Sequence, residues 1–326
     1  MKTVILHGEV SEDANRDEQD VLVQVHTVSR ALSELGFTPI TVPVSLNITH
    51  AIDILQVIRP VFVFNLVESI AGQGNLIHIV PSIMDFLKIP YTGAGTEATF
   101  LTSHKVLAKQ FLQAKGIATP YFLMPDTQQS DPFPGGTYII KSVWEHASTW
   151  LDEESIIFSE DLHHLSQIIL RRQTQLGIAC FAETFVEGRE FNLSLLAGHR
   201  GPEVLPPAEI LFDDYPPGKH RVVDFRSKWV EDSFEYQHTP RRFDFPADDE
   251  PLITHLTEIT LQCWHTFSLR GYARVDFRVD ATGKPWVLEV NTNPCLSPDG
   301  GFYAAVERSG LSFNGAIERI IHDARK

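Results

Sequence analysis

Strand-like apolar runs alternate with helical repeats over the first part of the chain. TVILHG has the pattern of a buried strand, and residues 17–35 then repeat apolar side chains at Val21, Val25, Val28, Leu32 and Leu35. That spacing is typical of an amphipathic helix, and Gly36 ends it. TPITVPV and VFVFNL continue the alternation. Strands alternating with helices form parallel βαβ units covered on both faces, so the pattern predicts a small doubly wound α/β domain.

The pattern changes after about residue 92. TSHKVLAKQFLQAKGI predicts a helix with a threonine N-cap and a terminal glycine. The runs TYIIKS, ACFAETFV and REFNLSLL are short, bounded by glycine or charge, and predict antiparallel hairpins. Residues 213–251 are rich in Pro, Asp and Arg and predict long loops around one strand, VVDFRSKW. A helix is then expected over residues 251–269.

Two final strands, GYARVDFRVD and KPWVLEVN, predict a hairpin that gathers polar side chains. Arg274 and Asp276 share one face of the first strand, and Glu289 and Asn291 do the same on its partner. Two carboxylates and one amide oxygen suit Mg²⁺, and an adjacent arginine would clamp a transferring phosphoryl group. The alternative is a cross-strand salt bridge on an exposed face, worth at most about 1 kcal/mol.

Other residues extend this candidate chemistry. Lys141 ends the apolar strand TYIIK beside a loop, a common position for a lysine that holds phosphates, and Lys228 lies among aromatic residues. Each lysine by itself also fits an ordinary surface position. The acidic loop HGEVSEDANRDEQD follows the first strand, where ligands of open α/β sheets bind, although a solvated helix N-terminus, whose dipole favours acids, is the preferred explanation.

Composition narrows the functional classes. The formal net charge is −15, from 42 acids against 27 Lys and Arg, which argues against nucleic-acid and anionic-membrane partners because both require basic surfaces. The three cysteines are too few and too scattered for a disulfide framework or a zinc cluster, which fits a reducing compartment. Met1 leads directly into a strand, and no apolar run approaches the roughly 18 residues of a membrane span, so we expect a cytoplasmic protein.

Four motifs in one order resemble the ATP-grasp ligases and, within them, the D-alanine:D-alanine ligase family. LEVNTNPCLS is similar to the family's LEANTSPGMT-type signature, and GYARVDF to its GxxRxDF strand. YIIKSVWEHAS resembles its strand-ending lysine and phosphate-covering loop, and AETFVEGREFNLSLL resembles the EExxxGxEFxVxVL segment between the two ATP-grasp lobes. The resemblance covers essentially the whole chain. It implies an N-terminal pre-ATP-grasp domain over residues 1–92, a central lobe over 93–184 and a C-terminal lobe over 185–326.

The resemblance also implies roles at the nucleotide phosphates. Lys105 matches a lysine that approaches the phosphates from a helix start, and Lys141 matches the lysine that contacts the α and β phosphates. Ser148 belongs to the phosphate-covering loop. Lys228 would contact the γ-phosphate.

Further roles concern the base, the sugar and the metal. Glu183 and the Val186 backbone match the adenine-edge contacts, and Glu190 matches the acid that holds the ribose hydroxyls. Arg274 matches the arginine beside the transferred phosphoryl group. The cofactors implied are ATP and two Mg²⁺ ions, with Mn²⁺ as a substitute, and the implied metal ligands are Asp276, Glu289 and Asn291.

The expected substrate end departs from the family. Dipeptide ligases carry a TSHSL-like segment whose serine binds the carboxylate of the second D-alanine, whereas Gly300 stands at that place here, preceded by Asp299. A carboxylate there should repel an incoming carboxylate and favour an amine or a hydroxyl. Trp229 replaces the family's tyrosine after the γ-phosphate lysine. Glu18 lies in roughly the place of the amine-binding glutamate, and packing is the expected role of Cys295.

These features together predict an ATP-dependent carboxylate–amine ligase that acts through an acyl phosphate. The departures favour a small acid and an amine or amino acid of specialised metabolism, for example in the branch of mycosporine-like amino-acid ligases. The alternative is D-alanine:D-alanine ligase itself, and an alternative of another class is a non-catalytic nucleotide-binding sensor. The resemblance also implies a homodimer through the N-terminal domain, with the apolar segment LIHIVPSIMDFLKIPY as the interface, although burial within its own domain is an equal alternative.

Overall fold

The N-terminal part forms a three-stranded parallel sheet, as the alternating pattern predicts. The computed structural model describes residues 1–11, 14, 16–127, 133–144 and 151–326, apart from the side chains of residues 17 and 18. The sheet order is β2-β1-β3, and both neighbours run parallel to the central strand. The elements are β1 (Lys2–Gly8), α1 (Arg16–Glu34), β2 (Thr38–Val44), α2 (Ile48–Ile58) and β3 (Val63–Leu66).

The apolar segment proposed as an interface contains helix α3 (Ile79–Leu87). Val80 and Met84 point into the N-terminal core and are 1% exposed, so part of the segment serves its own domain. Phe86 lies on the opposite side and is 83% exposed. The homodimer stays a prediction.

The central part carries a four-stranded antiparallel sheet of order β4-β7-β5-β6. The helix expected over residues 102–116 begins at Lys105 and has His104 as its N-cap, so the threonine N-cap was wrong. Thr102 instead donates its hydroxyl to Ala98 O at 2.8 Å inside a preceding helix. The elements are α4 (Thr96–Ser103), α5 (Lys105–Ala114), β4 (Phe122–Leu123), β5 (Gly136–Ser142), β6 (Ile156–Ser159), α6 (Leu162–Leu176) and β7 (Cys180–Thr184).

The C-terminal part is built on a six-stranded sheet of order β11-β10-β8-β12-β13, with β9 paired to β8. The predicted hairpin of the two last strands is confirmed. ACFAETFV and REFNLSLL do not form a hairpin, because the chain leaves the central sheet after the first and enters the C-terminal sheet with the second. The strands are β8 (Arg189–Gly198), β9 (Gly201–Val204), β10 (Ala208–Ile210), β11 (Arg241–Arg242), β12 (Tyr272–Val279) and β13 (Pro285–Asn291).

The segment VVDFRSKW contains a short helix where a strand was predicted. Asp224 caps helix α7 (Phe225–Trp229), since its Oδ1 accepts from the Ser227 backbone N at 2.8 Å and from the Ser227 hydroxyl at 2.7 Å. A second short helix, α8 (Phe234–Gln237), follows. The Asp–x–x–Ser capping pattern therefore outweighs the aromatic and β-branched content that suggested a strand.

Three further helices belong to the C-terminal part, and the last two of them join the two ends of the chain. Buried residues of α1 and β3 share one apolar core with the last two helices and with Tyr272 of β12, so the N-terminal domain packs directly on the C-terminal sheet. No helix of the described residues is long and apolar enough to cross a membrane. These helices are α9 (Glu250–Thr266), α10 (Gly301–Arg308) and α11 (Phe313–Ala324).

Candidate active site

A single cavity of about 470 Å³ brings together the residues that the sequence assigned to the site. Its volume lies within the usual range of roughly 300–1,000 Å³ for small-molecule sites. All three parts of the fold contribute to its walls. The assigned residues that line it are Lys105, Lys141, Glu183, Val186, Glu190, Lys228, Trp229, Arg274, Asp276, Glu289, Asn291, Asp299 and Gly300.

Polar side chains of two adjacent strands converge at the predicted metal position. In the β12–β13 register Asp276 stands opposite Glu289 and Arg274 opposite Asn291. Asp276 accepts from Arg274 Nε at 2.7 Å and from Arg274 Nη2 at 2.8 Å, while Asn192 of β8 donates to its Oδ1 at 2.8 Å. The register predicted from period-two alternation is therefore present, and the arginine is fixed in a fork against one carboxylate.

Two cationic side chains face these acids. Burial opposes the charge of Arg274, but the carboxylate of Asp276 raises the pKa of this guanidinium, which stays protonated. Burial lowers the pKa of Lys228, and the positive charge of Arg274 lowers it further, whereas Glu289 and Asp276 oppose the shift. The cationic groups of Arg274 and Lys228 therefore lie close together, and an anionic ligand would stabilise them.

A buried ion cluster links the central and C-terminal parts behind the cavity wall. Glu183 is 1% exposed, and its Oε1 and Oε2 lie 2.6 Å from Lys141 Nζ and Lys109 Nζ. Lys109 also donates to Thr119 Oγ1 at 2.9 Å and to Leu288 O at 3.3 Å. Although burial alone would raise it, the two lysines hold the pKa of Glu183 below its usual value. Glu183 therefore positions the predicted phosphate lysine.

The predicted ribose acid is also held in place. Glu190 Oε2 lies 2.8 Å from Arg278 Nη2, and both side chains are nearly buried. Arg278 donates in addition to Gly188 O at 2.9 Å and to the Arg221 carbonyl. Because Arg278 is two residues beyond Asp276, alternation places it on the same face of β12.

The N-terminal domain reaches the other end of the cavity through Asp20 of α1. Its Oδ1 accepts from the Ser297 hydroxyl at 2.7 Å, and its Oδ2 accepts from the Cys295 thiol at 3.1 Å. Gln24 binds the same segment, accepting from Leu296 N at 3.1 Å and donating to Glu68 Oε1 at 2.9 Å. The segment after β13 is thus fastened to helix α1 by three hydrogen bonds, two to Asp20 and one to Gln24, and Gln24 itself donates to Glu68.

Gly300 occupies a position with no room for a side chain. A Cβ atom there would lie 2.9 Å from Ser297 O and 3.1 Å from Cys295 O. A serine at this position, as in the resembling family, would therefore require the backbone to move. Arg241 approaches from the other side and donates from Nη1 to Asp299 O at 2.9 Å.

Some assignments lie outside the described part of the chain, and some site residues were missed. The side chain of Glu18 and all of Ser148 fall outside the described residues, so their roles stay predictions. Lys109, Asp20 and Arg241 were not identified from the sequence. Only Lys109 carried a usable signal, because it stands one helical turn after Lys105.

Comparison with known proteins places the chain among related sequences. A family model described as "D-ala D-ala ligase C-terminus" matches residues 160–322, which is half of the chain. The D-alanine--D-alanine ligase of Aquifex aeolicus is 28% identical over 329 residues, covering 98% of this chain and 100% of that protein. The D-alanine--D-alanine ligase of Synechococcus sp. (strain JA-3-3Ab) is 28% identical over 260 residues, covering 78% of this chain and 74% of that protein.

Solved structures show the same architecture. The D-alanine--D-alanine ligase from Bacillus anthracis complexed with ATP superposes with a TM-score of 0.73 at 19% identity, covering 99% of this chain and 97% of that one. The predicted ATP-grasp fold with its N-terminal α/β domain is thereby confirmed. The domain boundaries at residues 92 and 184 stay predictions.

Proposed function

Because the chain belongs to the D-ala D-ala ligase family, whose C-terminal model matches half of it, we propose that it joins two molecules of D-alanine. Members of this family are ATP-dependent, ADP-forming carbon–nitrogen ligases, and this chain is one of them. The choice of D-alanine is supported by relatives that match most of the chain and are named D-alanine--D-alanine ligases. They favour D-alanine:D-alanine ligase over the mycosporine-like branch.

One observation carries the proposal: the Arg274–Asp276 fork lies opposite Asn291 and Glu289 on the paired strand, and Lys228 lines the same cavity. Activation of a carboxylate by ATP develops negative charge on the transferring phosphoryl group. Fixed cations placed around that group stabilise it with little reorganisation, because the ion pair already fixes the direction of the guanidinium. A protein that only stores or senses nucleotide needs no arginine fixed beside a transferring phosphoryl group.

The chemistry proceeds in two steps. The donor carboxylate oxygen attacks the γ-phosphorus of ATP, the bond to the β–γ bridging oxygen breaks, and ADP leaves. The acceptor amine then attacks the acyl carbon, inorganic phosphate leaves, and the amine nitrogen loses a proton. Lys105, Lys141 and Lys228 neutralise the phosphates in the first step, and Arg274 stabilises the group in transfer. Asp20 and Glu68 line the end of the cavity where the donor ammonium would be held.

The oxygen atoms at the predicted metal position suit the magnesium that the family implies. Asp276, Glu289 and Asn291 offer oxygen ligands from two adjacent strands, and Mg²⁺ completes its coordination with waters and phosphate oxygens. These three residues would hold the ion, which when bound supplies further neutralisation of the phosphate charge. Replacement of Mg²⁺ by Mn²⁺ stays a prediction.

The direct test measures ADP and dipeptide together. Purified protein with ATP, Mg²⁺ and D-alanine as sole substrate should release ADP and yield an equal amount of D-alanyl-D-alanine. Glu289→Gln should reduce turnover by at least about 100-fold, since it removes one charged ligand of the metal. Glu307→Gln, on an exposed position of α10, is the matched control and should retain activity.

Three outcomes separate the candidates. Turnover only with another acid–amine pair would refute D-alanine as substrate and restore the branch of specialised metabolism. ATP binding without ADP formation on any pair of a broad amino-acid panel would refute catalysis and favour the nucleotide sensor. Full activity of Glu289→Gln would contradict the assigned metal ligands.

A further inference from the structure

Arg241 is directed into the cavity by a strand of only two residues. In β11, Arg241 pairs with Ile210 and Arg242 pairs with Glu209 of β10. Successive side chains of a strand point to opposite faces, so the two arginines have different surroundings. Arg242 forms an ion pair with Glu209, whereas Arg241 lines the active-site cavity.

The guanidinium of Arg241 has donors available for a ligand. Among the described arginines of the cavity wall, Arg172, Arg274 and Arg278 each pair with a carboxylate, and Arg241 pairs with none. Within the described part of the chain, its Nη1 donates to the backbone oxygen of Asp299 at 2.9 Å. A guanidinium carries five N–H donors, so several of them remain available to a ligand in the cavity that Arg241 lines.

Arg241 stands at the substrate end of the cavity. A Cβ atom at Gly301 would lie 3.6 Å from Arg241 Nε, which puts the guanidinium against the start of α10. The charged groups near it include Arg274 and Asp299, whereas Lys105 and Lys141 belong to the predicted nucleotide end. The expectation that Asp299 makes this end repel carboxylates omitted the cation directly beside it.

We propose that Arg241 binds the carboxylate of the acceptor amino acid, in place of the serine hydroxyl that Gly300 cannot provide. The inference rests on the proposed dipeptide ligase function. A fork of parallel N–H donors matches a carboxylate, and such a charge-assisted pair contributes more than the neutral hydroxyl it replaces. Arg241 is therefore a specificity residue for acceptors that carry a carboxylate beside the attacking amine.

A competition experiment isolates this role. The enzyme receives ATP, Mg²⁺, D-alanine and an excess of D-alanine amide, and mass spectrometry measures the ratio of D-alanyl-D-alanine to D-alanyl-D-alanine amide. Both products share the donor half-reaction, so their ratio depends on the acceptor alone. The wild type should favour the free dipeptide, and Arg241→Gln should shift the ratio toward the amide by about 10- to 100-fold, the range expected for one charge-assisted bond. Arg241→Lys should fall between them.

Arg200→Gln, at the turn between β8 and β9, is the matched control and should leave the ratio unchanged. A ratio in Arg241→Gln equal to that of the wild type overturns the acceptor assignment. Equal losses of both products with a raised KM for ATP overturn it as well, because they would place Arg241 on the nucleotide. A wild-type enzyme that forms no dipeptide refutes the proposed function itself, and the assignment falls with it.

Discussion

The buried cluster of Glu183, Lys109 and Lys141 leads to an asymmetric prediction. At 2.6 Å and an effective dielectric constant of about 20, the attraction between Glu183 and Lys109 is on the order of 6 kcal/mol. Burial of two ions costs several kcal/mol each, so the net contribution of the pair is small. Removing one partner is different, because it leaves an uncompensated charge in the interior.

Glu183→Gln should therefore destabilise the protein by about 3–5 kcal/mol, since it leaves Lys109 charged at 1% exposure. Lys109→Met should cost less, because Lys141 still neutralises the carboxylate. The double variant should be more stable than the sum of the two single effects predicts, by at least about 1 kcal/mol.

Hydrogen exchange of the β5 and β7 amides measures the opening free energy of this sheet directly, and thermal melting gives an independent order of stability. Leu123→Ala, which removes a buried side chain from the same sheet without touching the cluster, is the reference for an ordinary core loss. Equal losses of stability in Glu183→Gln and Lys109→Met, or full additivity in the double variant, would refute the claim that Glu183 neutralises both lysines.

Two other predictions follow from the titrating groups. Burial raises the pKa of the Cys295 thiol well above 9.0, and Asp20 and Glu68 add to the effect. Native protein should therefore resist labelling of Cys295 by iodoacetamide at pH 8 while unfolded protein reacts, and rapid labelling of native protein would contradict this. Cys295→Ala should keep ligase activity. Burial alone would raise the pKa of Glu235, but hydrogen bonds from Lys219 and Arg226 hold it at about 2. The stability that Glu235 contributes is complete above the pKa of 4.5 that it has in the unfolded chain, and it is lost as the pH falls from there toward 2. Glu235→Gln should therefore flatten the fall of Tm between these two pH values. An unchanged slope would show that other carboxylates govern the fall of Tm.

Local patterns predicted the β12–β13 hairpin and its polar cluster because both strands alternate within one short stretch of chain. Arg274, Asp276, Glu289 and Asn291 needed only the period of two and the turn between the strands to be brought together. Lys228 was assigned to the right cavity on the wrong element. The N-cap at Asp224 makes this element a helix, and the aromatic content of the segment obscured that three-residue signal.

The missed residues depend on pairings that no local pattern contains. Arg241 lies on a strand of two residues, too short for any periodicity, and its partner strand ends 31 positions earlier at Ile210. Asp20 is one of several acids at a helix start, and its contact with Cys295 spans 275 positions. Non-local contacts of this kind are fixed by the packing of whole elements, so residue spacing alone does not reveal them.

The three hydrogen bonds that fasten the segment after β13 to helix α1 determine how exchangeable the parts of this enzyme are. A chimera that grafts the segment 295–301 of a relative onto this chain would place a foreign loop against Asp20 and Gln24. Recombination between family members should therefore succeed when the first helix and this loop are inherited together. In such a chain, acceptor preference and the amino-terminal domain would be exchanged as one unit.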